Sequence, residues 1–493
     1  MDTFCIFFTG AILVLIAYLA WLRFGDFKRP KLPPGPAGCP ILGYLPFLGR
    51  NHHAMFRDLA RTYGPVVRIN IGTVSIVAIN DYQLIKSAFT NSAVQSRIRS
   101  LFLELTGFPG VGTLNGQAWR ENRQLSMNIL RNLGFGKTTL EEVIEDEVNR
   151  LTERLAAMNG KPIIARMEIV TSTSNVFTSL FFGTRHPHDH PTRATLNKLL
   201  LLADRVVCTG SLVVFLPNWM FEIAGLMPFT RIYNFKKAFG GLLGFIRKQV
   251  KKHEKMDLSD RNQDYINCYL EHAEQRLENP GSHIQSAYVP GNIQTFLGAG
   301  TNAIQRSLAW ILVTCADKPG TVQAKIQQEI DTVVGRERQP KWEDRYQMPF
   351  TMATIWEMQR WRPILPLTLP RATDKDMELG GYVIPKGTIM LANIWAVNMN
   401  ADLWEDPEKF RPERFIEQGG SKLRPKLDYF IPFSVGKRMC PGEALAPVEI
   451  FLFITGILQK FTVLPEDGKT IDLTVDSGAF SSPKYQKLRF LLR

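Results

Sequence analysis

The chain has 493 residues, 45% hydrophobic and 21% charged, which excludes a disordered protein and allows two or three ordinary domains or one large core. Lys and Arg number 59 against 46 Asp and Glu, a formal charge of +13 that suits an anionic membrane surface or an acidic protein partner. With no long basic run and no zinc-finger spacing, nucleic acid is the weakest of the possible partners, and six cysteines without paired spacing argue against a disulfide framework.

In chain order, the first element is Phe4–Leu22, FCIFFTGAILVLIAYLAWL, which carries no charge. As a helix it would be about 29 Å long, close to the ~30 Å hydrocarbon core of a bilayer. The run is too long for a signal peptide and no small-x-small cleavage site follows, so residues 1–24 are predicted to be a transmembrane anchor. Arg23, Lys28, Arg29 and Lys31 come after it, which puts the body of the protein on the cytoplasmic side. The segment Lys31-Leu32-Pro33-Pro34-Gly35-Pro36 is stiff and extended, and residues 25–36 are predicted to be a basic, proline-rich hinge. No linker, repeat or low-complexity tract divides residues 37–493, which are expected to form one domain.

Within that domain Pro65–Ile71 and Val74–Ile79 read as paired strands. Trp119 and Arg123 are four residues apart and share one helix face. Long amphipathic helices are predicted near Thr138–Asn159, Ile232–Lys255, Ile293–Asp317 and Thr321–Val334. His186-Pro187-His188-Asp189-His190-Pro191 reads as a solvated loop between helices, and His52-His53 likewise carries no metal signal. The apolar run Leu212–Met227 is broken by Pro217 and Glu222 and suits a segment that dips into a surface or lines an entrance.

Further on, Ile293–Asp317 contains Ala299-Gly300-Thr301-Asn302-Ala303. Glu357-Met358-Gln359-Arg360 places a Glu and an Arg three apart on one helix face. Arg371 follows the loop Pro363–Pro370, Gly380–Thr388 has strand and turn chemistry, and Pro412-Glu413-Arg414-Phe415 comes next. The strongest signal is Phe433-Ser434-Val435-Gly436-Lys437-Arg438-Met439-Cys440-Pro441-Gly442. Glycine at 436 lets the backbone approach a flat group closely, and Arg438 offers a planar fork of donors suited to a carboxylate. Cys440 stands just before the apolar helical stretch Ala444–Leu458, so its sulfur would face a helix amino terminus. Pro447 within that stretch would cost a helix bond and could kink it.

The last motif matches F-x-x-G-x-R-x-C-x-G, the haem-binding signature of the cytochrome P-450 superfamily. The order of W-x-x-x-R, E-x-x-R and P-E-R-F before it extends the resemblance over nearly the whole chain, and Asp344–Phe350 with Gly381–Thr388 gives it an animal microsomal flavour, similar to the steroid, fatty-acid and xenobiotic hydroxylases. This resemblance implies a mainly α fold with small β-sheets. It implies haem b, iron-bound through Cys440, with Phe433, Gly436 and Arg438 in the haem loop and Trp119, Arg123, Arg371 and Arg438 around the propionates. Glu357, Arg360 and Arg414 would form a buried triad that holds the scaffold beneath the haem. Leu101–Gly112, Leu297–Ala303, Ile364–Leu369 and Gly478–Ser481 would line an apolar pocket, with Phe102, Phe108, Leu365, Leu367 and Phe480 prominent. Arg97, Arg99 and Arg306 are candidates to meet a substrate carboxylate.

One part of the pattern departs from the family. The small residues Ala299 and Gly300 would leave room for dioxygen, yet Asn302 and Ala303 stand where an acid and a threonine deliver protons. Thr301 is about 100° round the helix and is no ready substitute. The expectation is a monooxygenase that puts one oxygen atom into a lipophilic substrate. An oxygen-independent isomerase or dehydratase acting on an oxygenated lipid is the alternative, and a non-catalytic haem-binding protein a third. No Rossmann or flavin motif is present, so electrons would come from NADPH-cytochrome P-450 reductase, with cytochrome b5 as a second donor, docking near Arg120, Arg131 and Lys437. The resemblance implies a single-pass protein of the endoplasmic reticulum membrane.

Overall fold

In the computed structural model, prolines and glycines set where the chain turns and apolar periodicity sets which faces are covered. The structure describes residues 10, 31–49, 51–72, 74–98, 109–136, 138–209, 223–256, 263–276, 281–420, 422–476 and 478–493. The anchor Phe4–Leu22 (apart from Gly10), Arg99, residues 101–108 and most of Leu212–Met227 lie outside the described residues. Among the described residues no helix is long and apolar enough to cross a membrane.

Residues 31–36 bridge two sheets, bonding to the strand Tyr382–Ile384 of a two-stranded hairpin and to the strand Val66–Ile71 of the four-stranded sheet. The Lys31 carbonyl accepts from the Val383 amide and the Pro34 carbonyl from the Arg68 amide, each at 2.8 Å. Helix α1 (His52–Tyr63) leads into strands β1 (Val66–Ile71) and β2 (Val74–Ile79), a hairpin pairing Val66 with Ile79 and Ile71 with Val74. There follow α2 (Tyr82–Thr90), α3 (Gly116–Asn132), α4 (Thr138–Ala157), α5 (Ala165–Phe182), α6 (Pro191–Thr209), α7 (Arg231–Glu254), α8 (Tyr265–Gln275), α9 (Val289–Asp317), α10 (Ala324–Val333) and α11 (Pro349–Trp361). Short strands β3 (Arg371–Ala372), β4 (Met377–Leu379), β5 (Tyr382–Ile384) and β6 (Ile389–Ala392) precede α12 (Ile394–Asn398). The chain ends with α13 (Ala446–Lys460), β7 (Phe461–Pro465), β8 (Val475–Asp476), β9 (Ser482–Pro483) and β10 (Leu488–Leu492). The first sheet has the order β1-β2-β6-β3, and β10 pairs with β7. The fold is therefore mainly helical with small sheets, as the sequence predicts.

Helix α9 is the axis of the core. Its Ile293, Leu297, Leu308, Trp310 and Leu312 are fully buried, and it packs against α5, α7, α11 and α13. Each such side chain contributes about 1.5–3 kcal/mol by leaving water. The approach of α5 to α9 depends on Gly300, because a Cβ there would lie 2.2 Å from the Phe177 ring.

Two local expectations change. The predicted helix at Thr321 begins instead at Ala324, because Pro319–Gln323 forms a wider π turn in which the Lys318 carbonyl accepts from both the Val322 and Gln323 amides. Pro447 causes no kink, because α13 starts at Ala446 and the proline occupies the first turn, where its missing N–H had no partner to lose.

Candidate active site

The loop 433–440 is closed by its own backbone. The Cys440 amide donates to the Phe433 carbonyl and the Met439 amide to the Gly436 carbonyl, both at 2.9 Å. Gly436 has φ +78°, and a Cβ there would lie 2.0 Å from the Phe89 carbonyl oxygen. One close approach that the glycine permits is thus to the backbone in the last turn of α2. Phe433 is half-buried at the mouth of the loop.

Cys440 caps the 3-10 turn Pro441–Ala444, and its Sγ accepts from the Gly442 amide at 3.3 Å. The sulfur is enclosed by the body of the protein yet keeps accessible surface, so it opens on an interior cleft. Burial raises its pKa, opposed by the Gly442 amide and then by the Arg123 charge.

Four guanidiniums gather beside this loop. Arg123 donates to the Met439 carbonyl at 2.8 Å. Arg371 donates to the Phe89 and Val435 carbonyls at 2.9 and 2.8 Å. Arg438 donates to the Gln95 and Leu114 carbonyls at 2.8 and 2.6 Å, and lies 3.7 Å over the Trp119 ring. The fourth is Arg97, bonded to the Leu369 and Pro370 carbonyls at 3.0 and 2.8 Å. The sequence pointed Arg97 toward a substrate carboxylate; the structure places it in this cluster, a position no motif marks.

Burial, and then repulsion from neighbouring guanidiniums, lowers three of them from the ordinary guanidinium range, Arg97 to about 10, Arg371 to about 9 and Arg438 to about 8. Arg123 is also lowered, chiefly by burial. None forms an ion pair with a carboxylate among the described residues, and the buried Arg97 Nε and Trp119 Nε1 have no partner there. Such a cluster calls for an external dianion.

Across the cleft, α9 is buried on most faces but shows an accessible strip at mid-length: Ala299 is exposed, and Asn302 and Ala303 are half-buried. Segment 109–115 borders both walls, since a Cβ on Gly112 would meet the Thr295 side chain of α9 and the Leu114 carbonyl accepts from Arg438. Gly300 is not part of the strip's free space, because Phe177 fills the room its missing side chain leaves; here smallness serves helix packing. Thr301 is fully buried, and its hydroxyl has no partner among the described residues.

Beneath the loop, Glu357 is fully buried and bonded to Arg360 at 2.7 and 2.8 Å and to the Arg411 amide at 2.8 Å. Arg414 Nε lies 3.0 Å from the same carboxylate. The triad read from the sequence is therefore assembled. Of the pocket residues, Leu365 and Phe480 are half-buried, and their segments are tied by the Ser481 amide donating to the Ile364 carbonyl at 2.9 Å. Leu367 packs instead with Phe56, Ile76 and Leu391 against the first sheet. Arg306 is taken up by Asp204 and Ser482 and is not directed at a ligand carboxylate.

The comparisons with known proteins agree with this geometry. Residues 33–489 match the family Cytochrome P450. The chain is 33% identical to Cytochrome P450 2J2 of Homo sapiens, covering 96% of this chain and 95% of that one. It is 32% identical to Cytochrome P450 2J5 of Mus musculus, covering 96% and 94%, and 32% identical to Cytochrome P450 2F2 of Rattus norvegicus, covering 98% and 99%. The chain belongs to the cytochrome P450 family and is a haem-binding monooxygenase of the oxidoreductase class.

Proposed function

We propose that this monooxygenase inserts one atom of molecular oxygen into a lipophilic substrate, of the steroid, fatty-acid, terpenoid or xenobiotic class, with electrons from NADPH-cytochrome P-450 reductase. The observation that carries the site assignment is the set of four guanidiniums without carboxylate partners beside an accessible cysteine sulfur, a donor set that fits haem b with its two propionates. Bound there, a thiolate-ligated haem supplies dioxygen activation, with the sulfur's electron density favouring O–O cleavage.

The chain's own residues divide the remaining work. Cys440 holds the iron. Arg97, Arg123, Arg371, Arg438 and the Trp119 Nε1 hold the propionates, while Phe433 and Gly436 shape the loop. Ala299 and Ala303 leave space on the opposite wall, and Asn302 offers a carboxamide where relatives of this type carry an acid. Without an ionisable group at 302 or a hydroxyl at 303, protons would travel through ordered water or a substrate hydroxyl. The exposed Arg120, Arg131 and Lys437 suit an acidic reductase, with cytochrome b5 as a second donor. Residues 1–24 would anchor the protein by a single pass in the endoplasmic reticulum membrane, residues 25–36 would form the hinge, and residues 37–493 the cytoplasmic catalytic domain.

Reconstitution with the reductase, NADPH and isotope-labelled dioxygen tests this reading. Label in the product of any lipid on a broad panel supports it. Rearranged product without label, formed without NADPH, would instead establish the oxygen-independent isomerase or dehydratase. Asn302→Glu together with Ala303→Thr should raise turnover if proton delivery limits it.

A further inference from the structure

Behind Asn302 lies a buried chain of polar side chains that no motif in the sequence marks. Gln305 Nε2 donates to Asn302 Oδ1 at 2.6 Å, and Gln305 Oε1 accepts from Arg166 Nε at 3.4 Å. Arg166 and Arg306 each donate to a different oxygen of Asp204. Gln305 and Arg306 are fully buried, and Arg166 and Asp204 nearly so.

This chain has only one polarity. A guanidinium is all donor, so Gln305 must turn its carbonyl oxygen to Arg166; the reverse would set N–H against N–H. The Gln305 amide nitrogen is then left to donate to Asn302, whose oxygen must face it. Asn302 therefore turns its Nδ2 hydrogens away from the chain. The residue is half-buried on the accessible strip beside Ala299 and Ala303, and no acceptor for those hydrogens is found among the described residues.

We infer that Asn302 is a substrate-recognition residue whose Nδ2 donates a hydrogen bond to an acceptor oxygen, of the carbonyl class, on the lipophilic substrate. This rests on the cleft being the substrate site proposed above. An acid at the same position would offer acceptors instead, so Gln305 and Arg166 act as positioning residues that set the sign of recognition.

Equilibrium dialysis of the full-length protein with acetylnaphthalene, ethylnaphthalene and naphthylethanol tests the inference, because these probes share a ring system and differ in their oxygen. The wild type should bind the ketone about three- to tenfold tighter than the hydrocarbon, the value of one net hydrogen bond. Asn302→Asp keeps the shape but removes the donor, and should erase that preference. Gln305→Glu is the sharper variant. A carboxylate at 305 only accepts, so it would take the Asn302 hydrogens and turn Oδ1 toward the cleft. The ketone then loses its advantage, while the alcohol, which can donate, keeps its affinity.

A purely structural role would weaken all three probes together and leave their order unchanged. Equal wild-type binding of ketone and hydrocarbon, or an unchanged ketone preference in either variant, overturns the inference. Dialysis needs no haem signal, so the reduced carbon monoxide spectrum of the same samples judges the haem assignment separately.

Discussion

The two walls of the cleft are held by different chemistry. On the cysteine side, Arg97, Arg123, Arg371 and Arg438 are tied to main-chain carbonyls, and Gly436 meets the Phe89 backbone. On the α9 side, Asn302 is held by side chain on side chain, through Gln305, Arg166 and Asp204. A carbonyl acceptor survives nearly any substitution of the residue that bears it, whereas a side-chain acceptor is lost with its residue. The first wall is therefore built to stay constant, and the second can be retuned one residue at a time.

The largest effect that could break this comparison is at the sulfur. Cys440→Ala should abolish the thiolate-type band in the reduced carbon monoxide spectrum, and its persistence would move the ligand elsewhere. Next, Glu357→Ala leaves two buried guanidiniums uncompensated and should cost about 3–5 kcal/mol by denaturant unfolding; a near-neutral result would mean the triad carries no scaffold.

Glu449 on α13 is the exception on the constant side. It is fully buried with neither oxygen hydrogen-bonded, and burial pushes its pKa up to about 8. At a pH below its ordinary value the folded and unfolded chains both hold the proton, so it costs nothing. As pH rises from there to about 8 the unfolded chain ionises while the folded one cannot, and stability falls on the order of a few kcal/mol. Glu449→Gln should remove that fall, as measured by unfolding at about pH 5 and about pH 8; an unchanged slope would show that the carboxyl titrates normally.

Smaller again, Gly436→Ala and Gly300→Ala should each cost about 1–3 kcal/mol. Only Gly300→Ala should be partly rescued by Phe177→Leu, because its clash is with a ring that can shrink and not with backbone. The smallest effect is expected at Thr301→Val. It removes a buried hydroxyl without a partner and should be neutral or stabilising by up to about 1 kcal/mol in thermal unfolding.

What the sequence made legible follows the same division. The cysteine loop, Trp119–Arg123, Glu357–Arg360 and Arg414 are local patterns whose spacing reflects local geometry, and the structure brings them together. The hairpin β1–β2 was readable because its strands alternate and sit next to each other. Helix α5 was not, since it is covered on nearly every face and shows no apolar stripe to detect. The pairing of β7 with β10 joins residues more than twenty positions apart with no turn signal between them. Arg97 and the Gln305–Arg166–Asp204 chain depend on contacts between distant segments, which no spacing rule encodes. Leu367 shows the opposite error, an apolar residue in the right loop facing the other way.

The two hydrogen bonds that the Lys31 and Pro34 carbonyls accept from strands β5 and β1 define a load path. A pull on the front of the chain is delivered to two separate sheets, the β4-β5 hairpin and the four-stranded sheet, so tension is shared between them before it can reach the loop that bears Cys440. Whatever tethers the amino end therefore pulls on two sheets at once and not on the cysteine loop directly.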